Sequence, residues 1–178
     1  MRVILNNHAS VTVKTRDISI LTDPWFNGSA FNDGWNLIYE NKENEEFFLN
    51  NINFIWISHE HPDHFQPKFF INNKNFIIKN NIKIIFQKTR DKRVINFLKK
   101  MNFEVIEIEE KKKIKLSEYT EIILFKAEFY DSSIAIISNN QTLLNLNDCQ
   151  YDEKQLKEIK NKCGRIDLLL TQFSYAAW

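Results

Sequence analysis

A short apolar run, FIWIS (residues 54–58), passes directly into HEHPDH (residues 59–64). Three of the chain's four histidines and two carboxylates therefore fall within six positions, at the end of what reads as a buried strand. This pairing constrains the fold more than any other feature. In an extended segment, side chains two apart point the same way, so His59 and His61 can converge on one point. Pro62 bends the chain, and Asp63 and His64 then present a carboxylate and a third imidazole nearby. Neutral imidazole with carboxylate suits zinc and other divalent first-row metals. Burying such groups with no partner would be costly.

At 178 residues the chain is expected to form one domain over 1–178, large enough for a core without disulfides. Hydrophobic residues make up 43% and charged residues 26%, a globular balance. A net charge of +1 provides no overall field to recruit nucleic acid or an anionic membrane, so neither is an expected partner. Cys149 and Cys163 match no CxxC pair, and a reduced, cytoplasmic compartment is the expectation. The N-terminus turns polar too soon for a signal peptide, and no apolar run reaches the roughly 18 residues of a membrane span.

Short β-branched runs fill the first third: RVILNN, SVTVKT and DISILTD. DPWFNGSAFNDGW reads as a long loop, and loops of that length are often functional. EEFFLNNI is expected to form a short helix, IKIIFQK a strand, and DKRVINFLKKM a helix with lysines at its end. EVIEIEE and KKIKLS read as paired strands of opposite charge in a solvated hairpin. TEIILFKAEFY, SSIAIIS and TLLNLND continue the strands, with NNQT as a turn. DEKQLKEIKNKCG is expected to be a helix capped near Gly164, and IDLLLTQFS a final buried strand. The pattern predicts a mixed α/β (α+β) layered fold.

HEHPDH resembles the H-x-H-x-D-H signature of the metallo-β-lactamase superfamily. The resemblance implies an αββα sandwich with one or two divalent ions (zinc, manganese or iron) at one edge of its sheets. It assigns His59 and His61 to a first metal site, and Asp63 and His64 to a second. SILTDPW resembles an early family strand whose final carboxylate, here Asp23, supports the metal loop; a plain turn carboxylate before Pro24 is the alternative. NHASVTV resembles the HAS pattern of a branch that includes ascorbate-phosphate lactonase-like and CMP-sialic-acid hydroxylase-like proteins, so His8 is expected to line the site or to end a strand. LLNLNDCQ resembles the strand that delivers a metal-bridging aspartate, here Asp148, with a turn or cap as the alternative.

The chain departs from the family pattern after His64, where no histidine remains. Glu128 or Asp131 could replace the first missing imidazole. The resemblance implies further strands beyond Trp178, so the sandwich is expected to be incomplete at its C-terminal part. A partner or second copy would then cover the open edge, and hydrolysis by this chain alone would be weak. The leading expectation is a hydrolase of a small ester, lactone, amide or phosphoester, with Asp63 as the catalytic group that orients water and moves its proton. The alternatives are a metallo-β-lactamase-like part of a sugar hydroxylase system acting on a nucleotide-activated or cell-wall amino sugar, and a non-catalytic metal-binding remnant. The hydroxylase alternative implies a Rieske domain elsewhere, because this chain shows no paired Cys-His ligands.

Overall fold

The computed structural model describes residues 1–127 and 130–172. In chain order the elements are β1 (Arg2–Asn7), β2 (Ser10–Lys14), β3 (Ser19–Thr22), β4 (Ser29–Ala30), β5 (Trp35–Asn36), α1 (Glu45–Leu49), β6 (Phe54–Trp56), α2 (Pro67–Asn72), α3 (Lys74–Lys79), β7 (Lys83–Gln87), α4 (Arg93–Lys100), β8 (Val105–Ile108), β9 (Lys113–Lys115), β10 (Thr120–Lys126), β11 (Ser132–Ser138), β12 (Gln141–Asn145), α5 (Glu153–Cys163) and β13 (Leu168–Leu170). One sheet runs β1-β2-β3-β6-β7-β8 and the other β13-β12-β11-β10-β9, while β4 and β5 form a separate hairpin.

The central strands are apolar on both faces because both faces are covered. In β6, Phe54 and Trp56 face the second sheet, while Ile55, followed by Ile57, faces the helices. In β7, Ile84 and Phe86 lie on the helix side and Ile85 between the sheets. Leu49 of α1, Phe69 and Phe70 of α2, Ile77 of α3 and Val94, Ile95 and Leu98 of α4 cover the outer face of the first sheet. In the second sheet, Ile122 and Leu124 point inward, and Ile123 and Phe125 pack outward near Ile159 and Cys163 of α5. Three apolar layers thus separate four structural layers, which is the expected αββα sandwich.

Local chemistry fixes the joints. Asp152 and Gln155 form a reciprocal capping box at the start of α5, and Gly164 ends that helix at φ 73. Asn139 and Asn140 are both left-handed, as a two-residue hairpin turn between β11 and β12 requires. Two expectations are corrected. The oppositely charged runs do not pair: β8 joins β7 in the first sheet, and β9 joins β10 in the second. Left-handed Lys111 lies in the crossing between them. Their charges find other partners, with Glu107 on Lys92 and Lys99, Glu109 on Lys88, and Lys113 on Glu121. Charge alternation alone could not tell a hairpin from a sheet-to-sheet crossing. The final strand is not buried either: β13 lies at the sheet edge, and Leu168 and Leu169 are 41% and 50% exposed.

Strands β3, β6 and β7 run parallel, so their carboxyl ends meet at one edge. The end of β12, the start of β11 and the β1–β2 turn reach the same place. Open α/β sheets bind ligands at such an edge. Among the described residues, no helix is long and apolar enough to cross a membrane.

Candidate metal centre

Asp23 follows β3 in a left-handed conformation (φ 37) and is fully buried. Its backbone N–H donates to Trp56 O at 3.0 Å, locking β3 to β6. Its Oδ1 accepts from Ser58 N at 2.7 Å, and its Oδ2 accepts from Asn147 Nδ2 and lies 3.2 Å from His64 Nδ1. One carboxylate therefore ties the histidine loop to the segment that precedes Asp148. If His64 Nδ1 carries the proton and donates it to Asp23, Nε2 is left free as an acceptor.

Ser58 supports the loop from below. Its Oγ lies 2.9 Å from His59 Nδ1, and its carbonyl accepts from Ser132 Oγ at 2.6 Å and Gln87 Nε2 at 3.2 Å. His59 and His61 converge as the spacing requires, with Nε2 of the first 2.8 Å from Nδ1 of the second. Asp131 Oδ1 stands 3.7 Å from His59 Nε2. Asp148 Oδ2 is 4.0 Å from His59 Nε2 and 3.3 Å from His64 Nε2, so one oxygen faces two imidazoles although it is distant in sequence. Asp63 Oδ2 lies 3.2 Å from His64 Nε2 and 3.0 Å from His8 Nε2.

Three groups of potential ligands result: His59, His61 and Asp131; His59, His64 and Asp148; and His8, Asp63 and His64. Within each, the ligand atoms lie within 4.8 Å of one another. His64 Nε2 and Asp63 Oδ1 are buried and make no well-aligned hydrogen bond, although His64 Nε2 lies 3.2 Å from Asp63 Oδ2 and 3.3 Å from Asp148 Oδ2. Three carboxylates and the imidazoles crowded at this edge present nitrogen and oxygen donors to one space, and a cation among them would be coordinated by both types. The residues therefore fit a divalent metal.

Electrostatics agree with that fit. Burial, with the neighbouring His64 and His61 against the pull of Asp23 and Asp148, holds His59 down to about 4, so its ring is neutral at neutral pH and ready to ligate. Burial alone would lower His64 too, but the adjacent Asp148, Asp23 and Asp63 carboxylates outweigh it and raise it well above the ordinary imidazole value. Burial would raise Asp63, yet hydrogen bonds with His64 and His8 bring it below the carboxylate range. Asp148 is lowered against burial by its hydrogen bond with His64. Asp131 is raised, by burial first and by the negative charge of Asp148 second.

Every expected site residue among His8, Asp23, His59, His61, Asp63, His64 and Asp148 lies at this one edge. Asp131 is there as well, while Glu128 lies outside the described residues. Sequence reasoning missed Ser58, Gln87, Ser132 and Asn147. Ser58 and Asn147 adjoin recognised residues, which was the available signal; Gln87 and Ser132 carried none.

A family model described as a beta-lactamase superfamily domain matches residues 2–171. The chain belongs to this family. An isothiocyanate hydrolase from Delia radicum gut bacteria superposes on this superfamily domain with a TM-score of 0.64 at 10% identity, covering 92% of this chain and 68% of that one. That likeness shows the fold alone. A Mycobacterium tuberculosis (strain H37Rv) protein named as a Rieske 2Fe-2S iron-sulfur protein is 25% identical over 188 residues, which span 100% of this chain but 35% of that protein. The cytidine monophosphate-N-acetylneuraminic acid hydroxylase of Asterias rubens is 40% identical over 57 residues, covering 32% of this chain and 9% of the hydroxylase. The superfamily domain thus spans about a third or less of these curated relatives.

Proposed function

We propose that the chain is a metal-dependent hydrolase that acts on a small-molecule ester, lactone, amide or phosphoester. The observation that carries this reading is that His59 converges with His61 and Asp131 on one side and with His64 and Asp148 on the other. His59, His61 and Asp131 would hold one ion, with Asp148 facing His59 and His64 beside it. A bound divalent ion, zinc, manganese or iron by donor chemistry, would supply Lewis acidity and an acidified water. The rest falls to the chain's own side chains. Asp63 is ionised at neutral pH, so it accepts protons and donates none. Its depressed pKa suits it to orient the attacking water by hydrogen bonding more than to store the proton. Asp23 and Ser58 fix the imidazole orientations, and misplacement of such groups by about 1 Å can cost about 100-fold in rate.

The test is purified protein loaded with zinc or manganese and offered lactone, phosphodiester and β-lactam substrates. Turnover that falls at least 100-fold on Asp63→Ala supports the reading. Bound metal without turnover of any class would support a metal-binding remnant instead.

A second reading is favoured by the end-to-end match to a protein named for a Rieske cluster. Here the chain is the metal-binding part of a sugar hydroxylase system. A Rieske cluster needs two cysteines and two histidines. All four histidines of this chain lie at the centre just described, and Cys149 and Cys163 are buried and free. The cluster would therefore come from another domain or a partner. Turnover of an amino sugar only with an added Rieske protein and reductant would distinguish this reading.

A further inference from the structure

We infer that His8 is a metal ligand, supplying from the N-terminal hairpin the second imidazole of a second ion site with Asp63 and His64. This rests on the proposal that the centre holds metal. His8, the one histidine of residues 1–178 outside the run, groups with Asp63 and His64, their ligand atoms lying within 4.8 Å of one another.

The β1–β2 turn is built to place His8 there. The register of β1 against β2 shifts between Leu5 and Asn7, and His8 itself is left-handed at φ 45. Left-handed backbone in a non-glycine residue is uncommon and persists where surrounding contacts impose it. Here Thr22 imposes it: its Oγ1 donates to Ala9 O at 3.0 Å and accepts from Val11 N at 2.9 Å. Thr22 immediately precedes Asp23, so the turn is anchored to the strand end that organises the histidine loop. Trp25 meets the His8 ring edge-on at 5.1 Å, and Trp35 does so at 6.4 Å.

His8 Nε2 is 3.0 Å from Asp63 Oδ2, which is itself 3.2 Å from His64 Nε2. A hydrogen bond from His8 to Asp63 would account for the first contact alone. It leaves His64 Nε2 buried between Asp63 Oδ2 and Asp148 Oδ2 with no well-aligned hydrogen bond. A cation shared by the three side chains would engage His8 Nε2, His64 Nε2 and a carboxylate oxygen of Asp63 together. Two imidazoles and one carboxylate, with the His8 side chain 33% exposed, also leave an open position toward solvent, as catalytic zinc sites do.

The experiment measures metal content per chain by elemental analysis after zinc loading and removal of free metal, for wild type, His8→Ala and His8→Gln. Glutamine keeps a donor for Asp63 but is a poor metal ligand, so it separates the two roles. The expected result is two ions in wild type and close to one in both variants, with added imidazole restoring the second ion to His8→Ala. If His8→Ala fails to fold, His8→Gln decides alone. Two ions retained in His8→Gln would overturn the inference and leave a hydrogen-bonding role. A single ion in wild type would overturn it while leaving the hydrolase reading intact. No metal in wild type would overturn both.

Discussion

His64 Nδ1 lies 3.2 Å from Asp23 Oδ2, and the same oxygen accepts from Asn147, one residue before Asp148. One buried carboxylate therefore joins the two sheets at the centre, beside the Ser132 hydroxyl on Ser58 O. Asp23→Ala would leave the Ser58 N–H, the Asn147 amide and the His64 ring without their partner. Loss of one member of such a buried set costs about 3–5 kcal/mol. A urea titration of the metal-free protein should show a loss of that size, and metal affinity should fall about 10- to 100-fold. A change below about 1 kcal/mol would mean that Asp23 is an ordinary turn residue.

The pH dependence of the metal-free protein follows from two histidines shifted in opposite directions. His59 sits at about 4 when folded and near 6.5 when unfolded, so the unfolded chain binds more protons between those values. Stability should therefore fall as pH drops from about 6.5 to 4, by on the order of 3 kcal/mol. His64 is raised, so its contribution is fully present below about 6.5 and is lost as pH rises through its folded value. The metal-free protein should be most stable near pH 6.5, measured by denaturant midpoints across the range. A flat profile from pH 4 to 9 would contradict both shifts.

Metal uptake should release a proton. In the metal-free protein His64 is held protonated between carboxylates, and a ligand nitrogen must be unprotonated. Titration calorimetry at pH 7 in two buffers of different ionisation enthalpy should give heats differing by about one proton per chain. Buffer-independent heats would show that His64 is already neutral.

The layer assignment predicts contrasting core and edge effects. Ile55 is fully buried between β6 and the helices, so Ile55→Ala should cost about 2–5 kcal/mol. Leu169 on edge strand β13 is 50% exposed, so Leu169→Lys should change stability by no more than about 0.5 kcal/mol. Thermal unfolding of the two variants checks both. Equal losses would mean that β13 is covered.

Much of this was legible in the sequence because alternation and ligand chemistry are local. FIWIS had to be a strand buried on both faces, and HEHPDH had to present its imidazoles at that strand's end. Asp23 and Asp148 were expected because the strand ends that precede them resemble strands of the family, and both lie at this edge. The fate of EIEEKKKIK was not legible, because strand pairing is a tertiary choice and charge pattern fits several partners. The contact between His8 and Asp63 was equally hidden, since 55 residues separate them and it takes both the β2–β3 and the β3–β6 pairings to bring them together.

The central claim is that the histidine run holds a divalent metal. Elemental analysis of wild type against the His59→Ala, His61→Ala double variant, each purified without added metal and compared at equal protein concentration, tests it most directly. The account predicts at least one zinc, manganese or iron ion per wild-type chain and a clear loss in the variant, with the first site emptied. Equal metal content in the two proteins, or none in either even after loading, would contradict it.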